Sequence, residues 1–156
     1  MTLRIGQGFD IHRFADDERP LVLGGVHIAG ERGLLGHSDA DAVAHAVADA
    51  LLGAAGLGDI GSHFPDTDPK WKGADSMVLL REVVALVSRE GWGIENVDVN
   101  VVCERPKIAP HRESMQDNLR AAVGAPVSVK GRRAEGLGAI GRAEGIACLA
   151  VALLTK

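Results

Sequence analysis

Between Gly33 and Asp59 the chain reads GLLGHSDADAVAHAVADALLGAAGLGD, and eight of the residues from 40 to 55 are alanine. Alanine is the best helix former, so this stretch predicts the clearest helix of the chain. Ser38 or Asp39 is placed to cap its N-terminus, and Gly56 and Gly58 to end it. On that helix Asp41, His45 and Asp49 stand at i, i+4 and i+8, one polar stripe among Ala, Val and Leu. A domain built round such a helix must find its core elsewhere than in aromatic residues. Those make up only 3% of the 156 residues, against 46% hydrophobic, so Val, Leu, Ile and Ala form the core.

The other segments predict an α/β chain. Residues 3–14 and 96–104 read as strands, the second alternating Val with polar residues, which gives one buried face. Residues 20–30 read as a hairpin turning at Gly24-Gly25. Residues 59–76 are a Gly/Asp/Pro loop, and residues 105–111 another. Helices are expected over 76–92, ending at Gly91, and over 112–124. VSVK (127–130) and GIACLAVALL (145–154) read as the last two strands. With no repeat, linker or low-complexity segment, residues 1–156 are expected to form one domain, a mixed sheet with helices packed on one face.

The formal net charge is −4, which argues against a nucleic-acid or anionic-membrane surface. Residues 130–142 are different. Lys130, Arg132, Arg133 and Arg142 face one acid, Glu135, so this window carries +3 and the remainder −7. Such an island suits a local anion site. No apolar run reaches the roughly 20 residues needed to span a bilayer. The N-terminus has no apolar leader, and Cys103 and Cys148 form no disulfide framework; a cytoplasmic protein is expected.

Gly136-Leu137-Gly138-Ala139-Ile140-Gly141 spells G-x-G-x-x-G. A dinucleotide fingerprint must open a helix and lead to an acid about 20 residues further on. Only 15 residues follow Gly141, and they are β-rich. A glycine-rich loop and a phosphate nest backed by arginines remain. Asp10-Ile11-His12 places two ligand-type side chains on one face of a strand. With His45 they would supply two imidazoles and a carboxylate, the three protein ligands of a catalytic zinc with an open fourth position. Asp49 is then placed to hold the other nitrogen of His45. The alternative is an Asp10 turn cap, an exposed His12 and a solvated helix face. His37-Ser38-Asp39 precedes the helix, where free N–H groups favour an anion; His27 and His63 read as surface residues.

GFDIH (8–12), LLGHSDADAVAHAVADALLGAAGLGDIGSHFPDTD (34–68), RPKIAPH (105–111) and GRAEGIACLAVALL (141–154) together resemble the 2-C-methyl-D-erythritol 2,4-cyclodiphosphate synthase family. The resemblance runs from Arg4 to Leu154. It implies a homotrimer with active sites between subunits, in the non-mevalonate route to isoprenoid precursors. The substrate would be 4-diphosphocytidyl-2-C-methyl-D-erythritol 2-phosphate, whose 2-phosphate attacks the β-phosphorus and expels CMP. By the same resemblance Asp10, His12 and His45 hold zinc, and Glu135 a second divalent ion, magnesium or manganese. His37 and Ser38 contact the diphosphate, with His37 stabilising the transition state. Asp10, Ile11, His12, Asp59, Ile60, Gly61, Phe64, Pro65, Asp66, Thr67 and Asp68 surround the erythritol phosphate. Cys103, Glu104, Arg105, Pro106, Lys107, Ile108 and Ala109 hold cytosine and ribose. Arg132, Arg133, Ala134, Ala139 and Arg142 occupy further substrate positions.

Three residues depart from the family pattern. Arg132 and Arg133 replace threonines, the second of which stabilises the transition state, and Ala139 replaces a phenylalanine. Either Arg133 substitutes charge-assisted bonds for hydroxyl contacts, or the long side chains obstruct the site. Two competing functions follow: a zinc-dependent phosphoester hydrolase, and a trimeric ligand-binding relative with reduced turnover.

Overall fold

The computed structural model describes residues 1–156. In chain order its elements are β1 (Leu3–Arg13), β2 (Leu21–Leu23), β3 (Val26–Ile28), α1 (Ala42–Ala55), the short α2 (Ile60–His63), α3 (Ser76–Arg89), β4 (Gly93–Val102), α4 (Arg112–Val123), β5 (Val127–Arg132), the single turn α5 (Gly138–Gly141) and β6 (Gly145–Thr155). β1 and β6 pair antiparallel along their whole length, from Leu3 opposite Thr155 to Arg13 opposite Gly145. β6 also pairs antiparallel with β4, and β4 pairs parallel with β5. The result is one mixed sheet in the order β1-β6-β4-β5, beside the β2-β3 hairpin. No helix is long and apolar enough to cross a membrane.

The period-two rule decides which face of the sheet is covered. Val97, Val99 and Val101, Val127 and Val129, and the even residues Ile146 to Leu154 are buried. Helix α1 lies on β1 and β6, with α3 against α1 and α4 against β5. The close approach of α1 to β1 depends on glycine. A Cβ on Gly8 would stand 1.8 Å from the Ala46 carbonyl oxygen, and one on Gly6 would stand 2.0 Å from that of Ala50. Small residues on both sides let helix and strand backbones nearly touch, which is the physical use of so much alanine. We predict that Gly8→Ala costs about 2–3 kcal/mol, since the obstructing atoms are backbone and cannot rotate away; denaturant titration measures it, and a cost below about 1 kcal/mol would contradict this packing. On the opposite face Ile5, Phe9, Ile11 and Val151 are exposed in the single chain, Ile5 to 74%.

Several boundaries differ from the sequence reading. The alanine helix starts at Ala42, capped by Asp41 rather than by Ser38 or Asp39. Residues 33–40 are instead drawn out beside the end of β1: Leu34 bridges Phe14 and the Leu35 N–H bonds the Arg13 carbonyl. Ala40, at φ 57°, then turns the chain into the helix. Asp41 also accepts the N–H groups of Gly24 and Gly25, 2.8 Å each, so one buried carboxylate joins hairpin turn and helix. β4 begins at Gly93, not 96, because the pairing with β6 continues past an irregularity at Glu95. The 59–76 loop is more ordered than its composition suggested. Asp59, Asp68 and Asp75 each cap a turn or helix.

Candidate active site

The register places the site at one end of the sheet. Asp10 lies opposite Cys148, Cys148 opposite Val101, and Val101 opposite Gly131. Asp10 and His12 therefore leave β1 at the end where β4 runs into Cys103 and β5 into Arg132. Across the sheet the row spans three strand spacings, about 14 Å.

On the β1 side, Asp10, His12 and His45 each bring one ligand-type atom within 4.8 Å of the others. Asp10 Oδ2 lies 2.8 Å from His12 Nε2 and 3.1 Å from His45 Nδ1. The far side of each imidazole tells which nitrogen carries hydrogen. His12 Nδ1 is 2.8 Å from the Leu35 carbonyl oxygen, which only accepts, so Nδ1 donates and Nε2 holds a lone pair. That Nε2 is buried and has no partner other than the Asp10 carboxylate 2.8 Å away. His45 Nε2 faces Ser76 Oγ at 2.8 Å. One nitrogen of each imidazole and a carboxylate oxygen converge on one place, where a cation can sit among them. The donor set thus fits a divalent metal of the zinc type. Without one, protons take that part. Burial pushes the Asp10 carboxyl up, but bonds from His12 and His45 outweigh it and hold it at about 2. Burial pushes His12 down, and Asp10 more than reverses this, leaving it raised.

Asp49 does not hold His45. It accepts the Ile60 N–H at 2.7 Å, tying α2 to α1. Asp41 is likewise outside the centre, spent on capping. Sequence reasoning missed Leu35 and Ser76 as partners of the ligands: one acts through its backbone carbonyl, and the other lies 31 residues from His45. His63 is not a free surface residue, because its Nε2 bonds the Leu57 carbonyl at 2.8 Å. His37 Nε2 bonds the Asp68 carbonyl at 3.0 Å, which draws the 64–68 segment over the helix entrance. Phe64 stacks edge-on against Trp71, 4.9 Å between centroids, and so stiffens that segment. Asp59 is committed to Ser62, and Ile60 is half-buried, while Gly61, Asp66 and Thr67 are exposed.

On the β5 side a cavity of about 730 Å³ is lined by residues 103–109, Lys130 to Arg133, Glu31 and Arg112. Six cations, Arg105, Lys107, Arg112, Lys130, Arg132 and Arg133, face two acids. Arg133 is not free: Nε and Nη2 donate to Glu104 Oε2 at 3.2 and 3.0 Å. Burial raises the Glu104 carboxyl, but the Gly136 N–H and Arg133 outweigh this and lower it. Burial pushes the Cys103 thiol up to about 11, so it lines the cavity as a neutral group. Glu135, at φ 54°, is exposed, and the structure does not gather it with Asp10, His12 and His45. Arg142 pairs with Glu144 at 2.7 Å. Ala139 sits in α5, which gives the glycine stretch a helical turn where sequence reasoning expected a loop.

Fold and site together define a mixed α/β domain with an Asp/His/His centre and a cationic cavity at one end of its sheet. The YgbB family pattern matches residues 3–155, and the chain belongs to that family. It is 56% identical over 159 residues to the 2-C-methyl-D-erythritol 2,4-cyclodiphosphate synthase of Bordetella avium, covering 100% of this chain and 98% of that one. Among solved structures it is similar to the bifunctional IspDF of Campylobacter jejuni, at a TM-score of 0.94 and 43% identity. That match covers 98% of this chain but 42% of the longer one. It is also similar to the CDP complex of Plasmodium falciparum IspF, at a TM-score of 0.84 and 39% identity over 97% of this chain and 95% of that one.

Proposed function

We infer that the chain is a lyase of the non-mevalonate isoprenoid route. It forms 2-C-methyl-D-erythritol 2,4-cyclodiphosphate from 4-diphosphocytidyl-2-C-methyl-D-erythritol 2-phosphate and releases CMP. The observation that carries this reading is the Asp10–His12–His45 centre, with one nitrogen of each imidazole turned toward the carboxylate, in a chain that covers named cyclodiphosphate synthases end to end. Zinc held by Asp10, His12 and His45 would supply a Lewis acid, and magnesium or manganese held at Glu135 would offset the charge of the diphosphate. The chain's own residues position the reactants. His37 and Ser38 hold the diphosphate beside the start of α1, with His37 stabilising the transition state. Asp59 to Gly61 and Phe64 to Asp68 enclose the erythritol phosphate. The cavity at 103–109 takes the cytidine, and Arg132, Ala134, Ala139 and Arg142 border the phosphates. Both reacting groups are anions, and a phosphate nucleophile is already ionised near neutral pH. Positioning and charge neutralisation are therefore the main tasks.

A homotrimer with sites between subunits accounts for two features of the single chain. Ile5, Phe9, Ile11 and Val151 form an apolar sheet face without a cover. The cytidine cavity also lies across the sheet from the metal centre, so a neighbour's cavity can complete each site. Two buried free cysteines suit the reducing cytoplasm, where we place the protein.

Incubating the protein with the cytidylyl substrate, zinc and magnesium tests the reading by chromatography. CMP together with cyclic diphosphate is expected. Inorganic phosphate without CMP would point to a hydrolase, and CDP binding without turnover to a ligand-binding relative. Arg133 is assigned a charge-assisted contact to phosphate, exchanging Glu104 for the ligand. Arg133→Thr is then expected to lower kcat/KM about tenfold, the worth of one such contact. Faster turnover in that variant would mean that the arginine obstructs the site.

A further inference from the structure

His45 is held from behind by two residues of other elements. Its Nε2 lies 2.8 Å from Ser76 Oγ, at the start of α3, and Ser76 is 1% exposed. Ser76 Oγ in turn donates to Asp39 Oδ1. The Asp39 carboxylate also accepts the N–H groups of Asp41 and Ser76, 3.1 Å each. Helix α3 does not need the Ser76 hydroxyl as a cap, because Asp75 already accepts the Met77 N–H.

The direction of these bonds follows from counting hydrogens. An ionised carboxylate has none to give, and a serine hydroxyl has one. The Ser76 hydrogen goes to Asp39, so toward His45 the hydroxyl only accepts. Nε2 must then carry hydrogen, so Nδ1, which bonds Asp10 Oδ2 at 3.1 Å while no metal is bound, is the nitrogen that can turn a lone pair to a metal. Ser38 Oγ stands 3.2 Å from Nε2 on a second side.

We propose that Asp39 and Ser76 are positioning residues that keep a hydrogen on His45 Nε2, so that a metal takes Nδ1, and thereby set the metal affinity of the centre. This rests on the reading that Asp10, His12 and His45 hold a divalent metal. Partners of this kind commonly change affinity by about 10- to 100-fold when removed. Asp39 reaches no ligand atom itself; it acts by occupying the one hydrogen with which Ser76 would stabilise the opposite tautomer.

Two measurements on chelator-stripped protein test it. The first is zinc affinity by competition with a chromophoric chelator. Ser76→Ala and Asp39→Asn are each expected to weaken binding by about 10- to 100-fold. The second is the nitrogen NMR spectrum of His45 after zinc is added back, expected to show a slowly exchanging Nε2–H in the wild type and a rapidly exchanging one in both variants. A purely structural tie between α1 and α3 would lower melting temperature while leaving that exchange and affinity alone, and that result overturns the proposal. So does an Nε2 without hydrogen in the zinc-loaded wild type. Should Ser76→Ala fail to fold, Asp39→Asn, which keeps a side-chain acceptor for α3, decides alone. Failure of the metal reading itself has another signature: Asp10→Ala would bind zinc as tightly as wild type.

Discussion

Asp10→Asn is expected to lower kcat/KM by about a thousandfold or more, with loss of bound zinc and little change in fold. The amide keeps the shape of the carboxylate but not its charge, and its nitrogen has no lone pair to offer between His12 Nε2 and His45 Nδ1. A metal acting as Lewis acid contributes several kcal/mol to a transition state of this charge, and a thousandfold loss corresponds to about 4 kcal/mol. CMP release and metal content, measured on the same sample, check the expectation. Turnover within tenfold of wild type in metal-depleted Asp10→Asn would remove this centre from the chemistry.

The same residue has a second, opposite effect on metal-free protein. Asp10 is lowered from 3.8 to about 2 on folding, so its ion pairing stabilises above pH 3.8 and is lost as pH falls toward 2. That loss is about 2 kcal/mol. His12 is raised from 6.5, so its share is complete below 6.5 and disappears as pH rises through its folded value. The stripped centre therefore stabilises most between about pH 4 and 6.5. Denaturant titration across pH in the presence of a chelator should show that window in wild type and not in Asp10→Asn. Added zinc is expected to move the optimum upward, because binding would need His12 without its second proton.

Asp41→Ala is expected to be the most destabilising single replacement outside the metal centre, about 3–5 kcal/mol. The carboxylate is fully buried and accepts three backbone N–H groups: Gly24 and Ala44 on one oxygen, Gly25 on the other. Alanine leaves all three without partners, at about 1–3 kcal/mol for each buried group before relaxation. For a chain of this size the melting temperature should fall by about 10 °C. Asp41→Asn retains the oxygen shared by Gly24 and Ala44 and should cost about half as much. Equal costs for the two variants would show that charge at the helix start, not acceptor number, is what matters there.

These side chains divide by how far their chemistry reaches along the chain. Helix α1, the hairpin at Gly24-Gly25 and the buried face of β4 were legible, because alanine content, turn residues and period-two alternation act over a few neighbours. The candidate metal ligands Asp10, His12 and His45 were legible as residue types at suggestive spacing. Asp49 was assigned to the wrong partner and Asp41 was placed only in a polar stripe, since helical spacing says which residues share a face but not what stands opposite. Asp41 was claimed by two glycines of a hairpin 16 and 17 residues away. Arg133 was read as either bonding phosphate or obstructing the site, and the fold gives it Glu104, 29 residues back.

From local chemistry alone, the sequence settled that the chain has an aliphatic α/β core, an Asp-x-His strand, a helical histidine and a basic island near its end. Only the tertiary structure decided that β1 pairs with β6, that Gly8 meets the backbone of Ala46, and that Ser76 and Leu35 commit opposite nitrogens of two histidines. The reason is physical. Propensity and periodicity act within a few residues. Register, backbone contact and the direction of a hydrogen bond depend on which distant segment supplies the partner.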